Sequence, residues 1–211
     1  MHRSIMNPAR RALAFVAIAA ALWIAGPAWA GAPGPDGMIR ELSSEVLGRI
    51  KEDASIRAGD IGNVHALVES AVMPHVDGKR MTASAVGRFW RNATPQQRKR
   101  LEEEFMQLVV RTYAGALSQA ADHTVQVMPI RAAADDVQAV VKTVVRGSDS
   151  PVHVDFRLVN TPQGWKISDV NLLGVWLTQI YRSSFAHEID AGGIEGLIST
   201  LTEKNRSNGG K

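Results

Sequence analysis

Hydrophobic residues recur at helical spacing in the first part of the chain beyond residue 37. This spacing predicts helices at 38–53 and 60–71, with Asp60 as the N-cap of the second, and a short helix at 81–91. Pro74 is expected to end the second helix, because proline cannot continue the hydrogen-bond ladder. The first part of the chain is therefore predicted to be helical.

The clearest local signal is Thr94-Pro95-Gln96-Gln97. It combines an N-cap threonine, a proline suited to the first helical position and the glutamine of a capping box. A helix of about 25 residues, reaching roughly Gln119, is predicted to follow. Its core-facing stripe consists of seven residues: Leu101, Phe105, Leu108, Val109, Thr112, Tyr113 and Ala116.

The pattern then changes to β-branched segments separated by turn residues. Strands are predicted at 124–130, 137–146, 152–159 and 165–172, with a turn at 134–135. Within the third segment, apolar residues alternate with polar ones, which predicts one buried and one solvated sheet face. Four successive strands with short connections form an antiparallel meander. With helices on either side of them in the sequence, the class is α+β.

Two further helices are expected after Gly174. The first is predicted at 175–189 and the second from Ile194 to about residue 205, with Gly192-Gly193 turning the chain between them. Residues 31–37 are a Pro/Gly linker and residues 206–211 a frayed tail. This leaves a single domain at 38–205.

Residues 1–30 are typical of a secretion signal. Arg3, Arg10 and Arg11 precede an apolar run at 13–25, and small residues up to Ala30 favour cleavage after that position. The apolar run is short for a membrane span. We therefore expect a soluble periplasmic protein.

Removal of the signal changes the charge balance. The full chain has 24 basic and 21 acidic residues, and without the three signal arginines 21 basic residues face 21 acidic ones. A neutral chain gives no indication of nucleic-acid binding. The absence of cysteine excludes disulfides and a lipid-modified cysteine.

Candidate catalytic chemistry is sparse. His153 and Asp155 are expected on the same side of one strand, where they could form half of a metal site or an acid–base pair, although a solvated sheet face is the favoured explanation. No phosphate loop, metalloprotease motif or nucleophile elbow is present. The sequence therefore predicts no enzyme and no metal, and its apolar stripes fit either an ordinary core or a ligand cavity.

Several segments, in order, resemble the MlaC family of periplasmic phospholipid carriers, also known as toluene-tolerance proteins. The segments lie at 72–81, 87–98, 108–114 and 164–205. The likeness extends over most of residues 38–205, but it is weak at 124–137. No single motif is specific, whereas the ordered set is.

The resemblance implies an NTF2-like curved antiparallel sheet of about four strands packed against several helices, with an apolar pocket between them. It also implies a monomeric carrier that binds phospholipid as cargo, needs no cofactor and maintains outer-membrane lipid asymmetry. Its partners would be an inner-membrane ABC transporter with an MCE-domain subunit and an outer-membrane lipoprotein–porin complex.

On this interpretation the apolar lining comes from inward strand residues and the helix residues facing them. The predicted lining is Leu108, Val109, Tyr113, Val141, Val154, Phe156, Leu158, Val170, Leu172, Val175, Ile180, Tyr181 and Phe185. Arg111 and Arg182 are candidates for the pocket rim or for partner docking. A structural ion pair with a carboxylate such as Asp169 is the alternative.

Three other functions remain open. One is a carrier of another apolar cargo, such as a hopanoid or an exogenous hydrophobe. Another is a ligand-free adaptor between membrane complexes, with a fully packed interior. NTF2-like folds also include enzymes, which need an acidic or histidine base inside the pocket, whereas the inward strand positions here are mostly apolar.

Overall fold

The computed structural model describes residues 33–131 and 136–207. These residues contain six α-helices and a five-stranded sheet. The predicted signal at 1–30, the turn at 134–135 and the last four residues of the predicted tail lie outside them. No helix in the described ranges combines the length and apolarity needed to cross a membrane.

The first three helices follow the predicted pattern with shifted ends. Helix α1 spans Pro35–Glu52, α2 spans Ala54–Arg57 and α3 spans Ile61–Leu67. Asp60 caps α3 as predicted, because its carboxylate accepts the Asn63 backbone N–H at 3.0 Å. The chain then widens into one π-helical turn at Val68–Val72, where an α-helix was predicted, and a 3-10 turn at Met73–His75 includes Pro74.

Helix α4 spans Gly78–Val86 and gives way to a 3-10 turn at Gly87–Asn92, so the predicted helix at 81–91 is two elements. Helix α5 spans Pro95–Ser118. Its capping box is confirmed in both directions: Gln97 N donates to Thr94 Oγ1 at 3.2 Å, and Thr94 N donates to Gln97 Oε1 at 3.0 Å.

The sheet contains the four predicted strands and one more. The strands are β1 Thr124–Val127, β2 Gln138–Arg146, β3 Val152–Thr161, β4 Gly164–Leu172 and β5 Val175–Trp176. All neighbours in the order β1-β2-β3-β4-β5 are antiparallel, which confirms the meander and the α+β class.

The end of the chain differs from prediction at its start. Val175 and Trp176 form β5 rather than the first turn of a helix, and helix α6 spans Leu177–Ser207. A sharp kink at Gly193 (φ 67°, ψ −171°) divides α6, close to the predicted break. No atom lies within 4 Å of a Cβ built at Gly193, so its backbone conformation and not its packing favours glycine.

The core lies between the helices and the inner face of the sheet. Ile39 and Ile50 of α1, Leu101 and Phe105 of α5, and Leu158 of β3 are among its fully buried side chains. Beyond the kink, α6 contributes a second apolar group to the same core, namely Leu197, Ile198 and Leu201. Both parts of α6 therefore pack into the core that the helices share with the sheet.

Candidate functional site

Strand register arranges the inner face of the sheet into rows of side chains. One row pairs Ala139 with Leu158 and Ile167, and there Leu158 is 0% exposed. Val154 lies four residues before Leu158 on β3 and shares a row with Leu172. Leu172 pairs in turn with Val175, which is 46% exposed. The inner face therefore changes along its strands from a closed core to an open apolar surface.

Thr143 is the polar residue in the more open row, where it pairs with Val154. Its hydroxyl donates to the Val154 carbonyl at 2.5 Å, and the side chain is buried. Because the hydroxyl is already satisfied by the backbone, this position presents little polarity to the space above the sheet.

Helices α5 and α6 form the wall opposite these rows. Val109 and Tyr113, one turn apart on α5, are both half-buried. Tyr181 of α6 packs edge-on against Phe105 at 5.0 Å between ring centroids, and Phe185 packs edge-on against Phe105 at 5.2 Å. The three rings therefore pack together where α5 meets α6.

Burial is the main cause that raises the pKa of Tyr113, and the neighbouring Tyr181 raises it further. The Tyr113 phenol is therefore neutral near pH 7. This half-buried position on α5 thus introduces no charge into its apolar surroundings.

The start of α6 is fixed to the sheet by Asp169. This buried carboxylate accepts the Thr178 hydroxyl at 2.7 Å and the Thr178 backbone N–H at 3.2 Å. Arg157 donates to the same carboxylate at 3.2 Å, and its guanidinium lies 4.0 Å from the centroid of the Trp176 ring. The first turn of α6 is therefore attached to Asp169 on the outer face of the sheet.

The structure divides the predicted lining residues by burial. Four are core residues: Leu108, Val141, Leu158 and Phe185. Seven are half-buried: Val109, Tyr113, Val154, Phe156, Val170, Leu172 and Tyr181. Val175 and Ile180 are exposed. The half-buried and exposed residues are those with surface left for a ligand, and their contact with lipid stays a prediction.

The two candidate arginines have different surroundings. Arg182 donates twice to the Ser84 carbonyl, at 3.1 Å from Nε and 2.7 Å from Nη2, and so ties α6 to the end of α4. Arg111 has a buried Nε without a hydrogen-bond partner in the described part of the chain. The alternative prediction, that one of these arginines forms an ion pair with Asp169, is wrong, because Asp169 pairs with Arg157.

Other candidate chemistry does not converge on the cleft. His153 is exposed and Asp155 half-buried on the outer face of the sheet, where they pair with Val144 and Lys142. Within residues 33–131 and 136–207, no three His, Asp or Glu side chains are grouped so that they could hold a metal ion.

Two open cavities lie away from the predicted lining. One, of about 570 Å³, lies among α1, α2 and α3 around Arg49 and Ser70, and Arg49 donates to the Ser70 hydroxyl. The other, of about 560 Å³, is bordered by acidic residues that include Glu69 and Glu102. Neither is bordered by a residue of the predicted lining.

The predicted lining omits three apolar residues of the inner face: Val125, Val145 and Val152. Val145 pairs with Val152, and Val125 of β1 pairs with Val145. The turn residues at 147–151 could have identified them. Strand pairing that starts at this turn aligns β2 with β3, and this alignment shows which residues of β2 face inward. The imperfect alternation of β2 concealed it.

The fold defines a class: an α+β protein whose five-stranded antiparallel sheet packs against helices and leaves half-buried apolar residues on its inner face. The chain belongs to the MlaC protein family, whose family model matches residues 40–203.

The relatives agree with this assignment. The chain is similar to toluene tolerance protein ttg2D of Pseudomonas putida, at 25% identity over 75% of this chain and 74% of that protein. It is also similar to the intermembrane phospholipid transport system binding protein MlaC of Haemophilus influenzae, at 18% identity over 79% of each chain.

A solved structure has the same fold. It is the phospholipid-binding protein of Ralstonia solanacearum in complex with a phospholipid. That protein is 39% identical, with a TM-score of 0.80 over 84% of this chain and 99% of the other.

Proposed function

We propose that the protein is a periplasmic phospholipid carrier that encloses acyl chains in the cleft between the sheet and helices α5 and α6. The observation that carries the proposal is the graded inner face, closed around Leu158 and open and apolar around Val154, Leu172 and Val175. A packed adaptor would need to cover those side chains itself. The phospholipid-bound relative from Ralstonia solanacearum supports the choice of cargo.

The physical need for a carrier follows from the cost of exposing acyl chains. Each methylene transferred from an apolar site into water costs about 0.8 kcal/mol, so a 16-carbon chain costs on the order of 12 kcal/mol. A lipid with two such chains does not cross water unaided at a useful rate. A protein that covers the chains and leaves the headgroup in water removes most of this barrier and accepts more than one headgroup.

The same proposal includes export to the periplasm, the protein partners and the role in the cell. The signal-like residues 1–30 favour the periplasm, and the names of the relatives favour intermembrane transport. The carrier would exchange lipid with an inner-membrane ABC transporter bearing an MCE-domain subunit and with an outer-membrane lipoprotein–porin complex. In this way it would maintain the lipid asymmetry of the outer membrane.

An enzymatic function is not favoured by the open rows of the cleft. Around Val154, Leu172 and Val175, the polar side chain is Thr143, whose hydroxyl is bonded to the backbone. A general base needs a titratable group within reach of the reacting atoms. The rows around Val154 supply hydrophobic surface in its place.

Native mass spectrometry of the protein purified from the periplasm, with lipid analysis of its organic extract, tests the cargo. We expect a stoichiometric mass increment that corresponds to a diacyl phospholipid. Extraction of a hopanoid or another hydrophobe would identify a different cargo. A ligand-free mass, together with no uptake from phospholipid vesicles, would refute the carrier and favour the adaptor.

Val154→Trp tests the position of the site. A larger side chain in the open row should occupy space needed by an acyl chain and lower the fraction of protein that carries lipid. Val140→Trp is the matched control, because Val140 is an exposed residue on the outer face that pairs with Arg157. Equal lipid occupancy in two folded variants would remove Val154 from the lining.

A further inference from the structure

The turn between β4 and β5 places a leucine in an unfavourable backbone conformation. Leu173 has φ 53° and is the residue other than glycine with positive φ in the described ranges; Gly174 follows with φ 91°. Two positive φ values in a two-residue hairpin loop are the geometry of a type I′ turn, for which Asn-Gly is the preferred sequence. A branched apolar side chain gains no compensating hydrogen bond there.

The side chain of Leu173 is also unusually exposed. It is 74% accessible to solvent, although leucine favours burial. The Leu173 N–H donates to the His153 carbonyl at 3.4 Å, which places the turn beside the first residues of β3. Val152 and Val175, both exposed, lie on either side of it in the strands. The turn is therefore at the open end of the cleft.

Backbone strain and exposed apolar surface coincide at this one residue without any packing that would explain either. Such a combination is typical of positions retained for function rather than stability. Val137 offers a comparison: it is equally exposed, at 74%, but has an ordinary backbone and lies at the opposite end of the sheet, next to Gln138 of β2.

We propose that Leu173 inserts into the surface of a phospholipid bilayer when the open end of the cleft faces it. This inference rests on the proposed carrier function. Val154, Leu172 and Val175 give a continuous apolar path from the cleft to the turn, so acyl chains can move along it without crossing water. A phospholipid bilayer fits this end of the sheet because it contains acyl chains and also has an apolar interior into which a single leucine side chain can insert.

The charges at this end of the sheet favour an apolar contact over an ionic one. The neighbouring connection between β2 and β3 is flanked by Arg146 and contains Asp149, which have opposite charges. A few exposed apolar side chains give weak, reversible membrane binding. This is the behaviour that a carrier needs, because it must leave the bilayer after exchange.

Single-cysteine labelling tests the contact directly, because the chain has no cysteine of its own. Leu173→Cys and Val137→Cys, each labelled with an environment-sensitive fluorophore, are mixed with vesicles of phosphatidylethanolamine and phosphatidylglycerol. We expect a blue shift at position 173 alone, with little dependence on salt. No shift at 173, or an equal shift at 137, would overturn the proposal. So would a shift that requires a membrane protein in the vesicles, since this would indicate a protein partner.

Leu173→Asn supplies an independent test in a variant that should fold well, since Asn-Gly suits the turn. We expect its transfer of a fluorescent phospholipid between vesicles to be about tenfold slower, from loss of leucine burial. Its thermal midpoint should rise and its lipid occupancy should stay unchanged, while Val137→Asn transfers normally. Transfer at the unaltered rate would overturn the inference and leave the carrier function standing. A wild-type protein that holds no lipid would overturn both this inference and the carrier function.

Discussion

Replacement of Asp169 by alanine tests the attachment of helix α6 to the sheet, on which the cleft wall depends. The Asp169 carboxylate accepts four hydrogen bonds: from its neighbour Val170 N, from Thr178 N, from the Thr178 hydroxyl and from Arg157. Alanine removes all four acceptor contacts. It leaves the buried Thr178 hydroxyl without its partner and Arg157 without its counter-ion.

The magnitude follows from burial. Removing one partner of a fully buried ion pair typically costs about 3–5 kcal/mol. Arg157 is partly exposed and keeps its contact with the Trp176 ring, so part of this penalty is relieved by water. We expect a loss of about 2–3 kcal/mol in the free energy of unfolding. With a urea slope of about 2 kcal/mol/M, the unfolding midpoint should fall by roughly 1–1.5 M.

Urea unfolding followed by circular dichroism measures this shift, with Asp155→Ala as the matched control. Asp155 lies on the same face of the same strand as Arg157, and it has neither a hydrogen bond nor an ion pair within the described residues. Its replacement should change the free energy of unfolding by no more than about 0.5 kcal/mol. Equal midpoints for the two variants would show that Asp169 does not hold α6 to the sheet.

Two further predictions concern a carboxylate and the kink. Burial, reinforced by Asp77, raises the pKa of Glu102, so its ionised form is disfavoured in the folded state. Glu102→Gln should therefore raise the thermal midpoint near pH 7, by the equivalent of about 0.5 kcal/mol. In thermal melts this gain should vanish as the pH falls and Glu102 becomes protonated. A gain that stays constant with pH would contradict this cause. Gly193→Ala should cost about 1–2 kcal/mol because of its positive φ, whereas Gly192→Ala should stabilise the helix; melts that move in the same direction would refute this account of the kink.

Local signals in the sequence were sufficient for two helix starts. Thr94 and Gln97 form the predicted capping box, and Asp60 caps α3, because such caps depend only on residues within one turn. The π-helical turn at Val68–Val72 has no comparable signal, and its apolar spacing fits an ordinary α-helix equally well.

Tertiary features of the site were less accessible. Val175 and Trp176 follow a glycine and precede a helix, and two residues carry no periodicity that would separate a strand from a first helical turn. The pairing of Arg157 with Asp169 depends on the register of β3 and β4, which shifts between Arg157 and Leu158. A bulge of this kind changes which side chains meet, and no local pattern marked it.

The closed row around Leu158 sets an inner limit to the proposed lipid site. Along β3, six residues separate Val152 at the open end from Leu158, a distance of about 20 Å at the usual rise per residue. On the proposed carrier function, an acyl chain that ran along the strand would reach filled core at that depth, and a longer chain would have to bend or leave carbons in water. The position of one buried leucine row thus leads us to expect selection among lipids by chain length more than by headgroup.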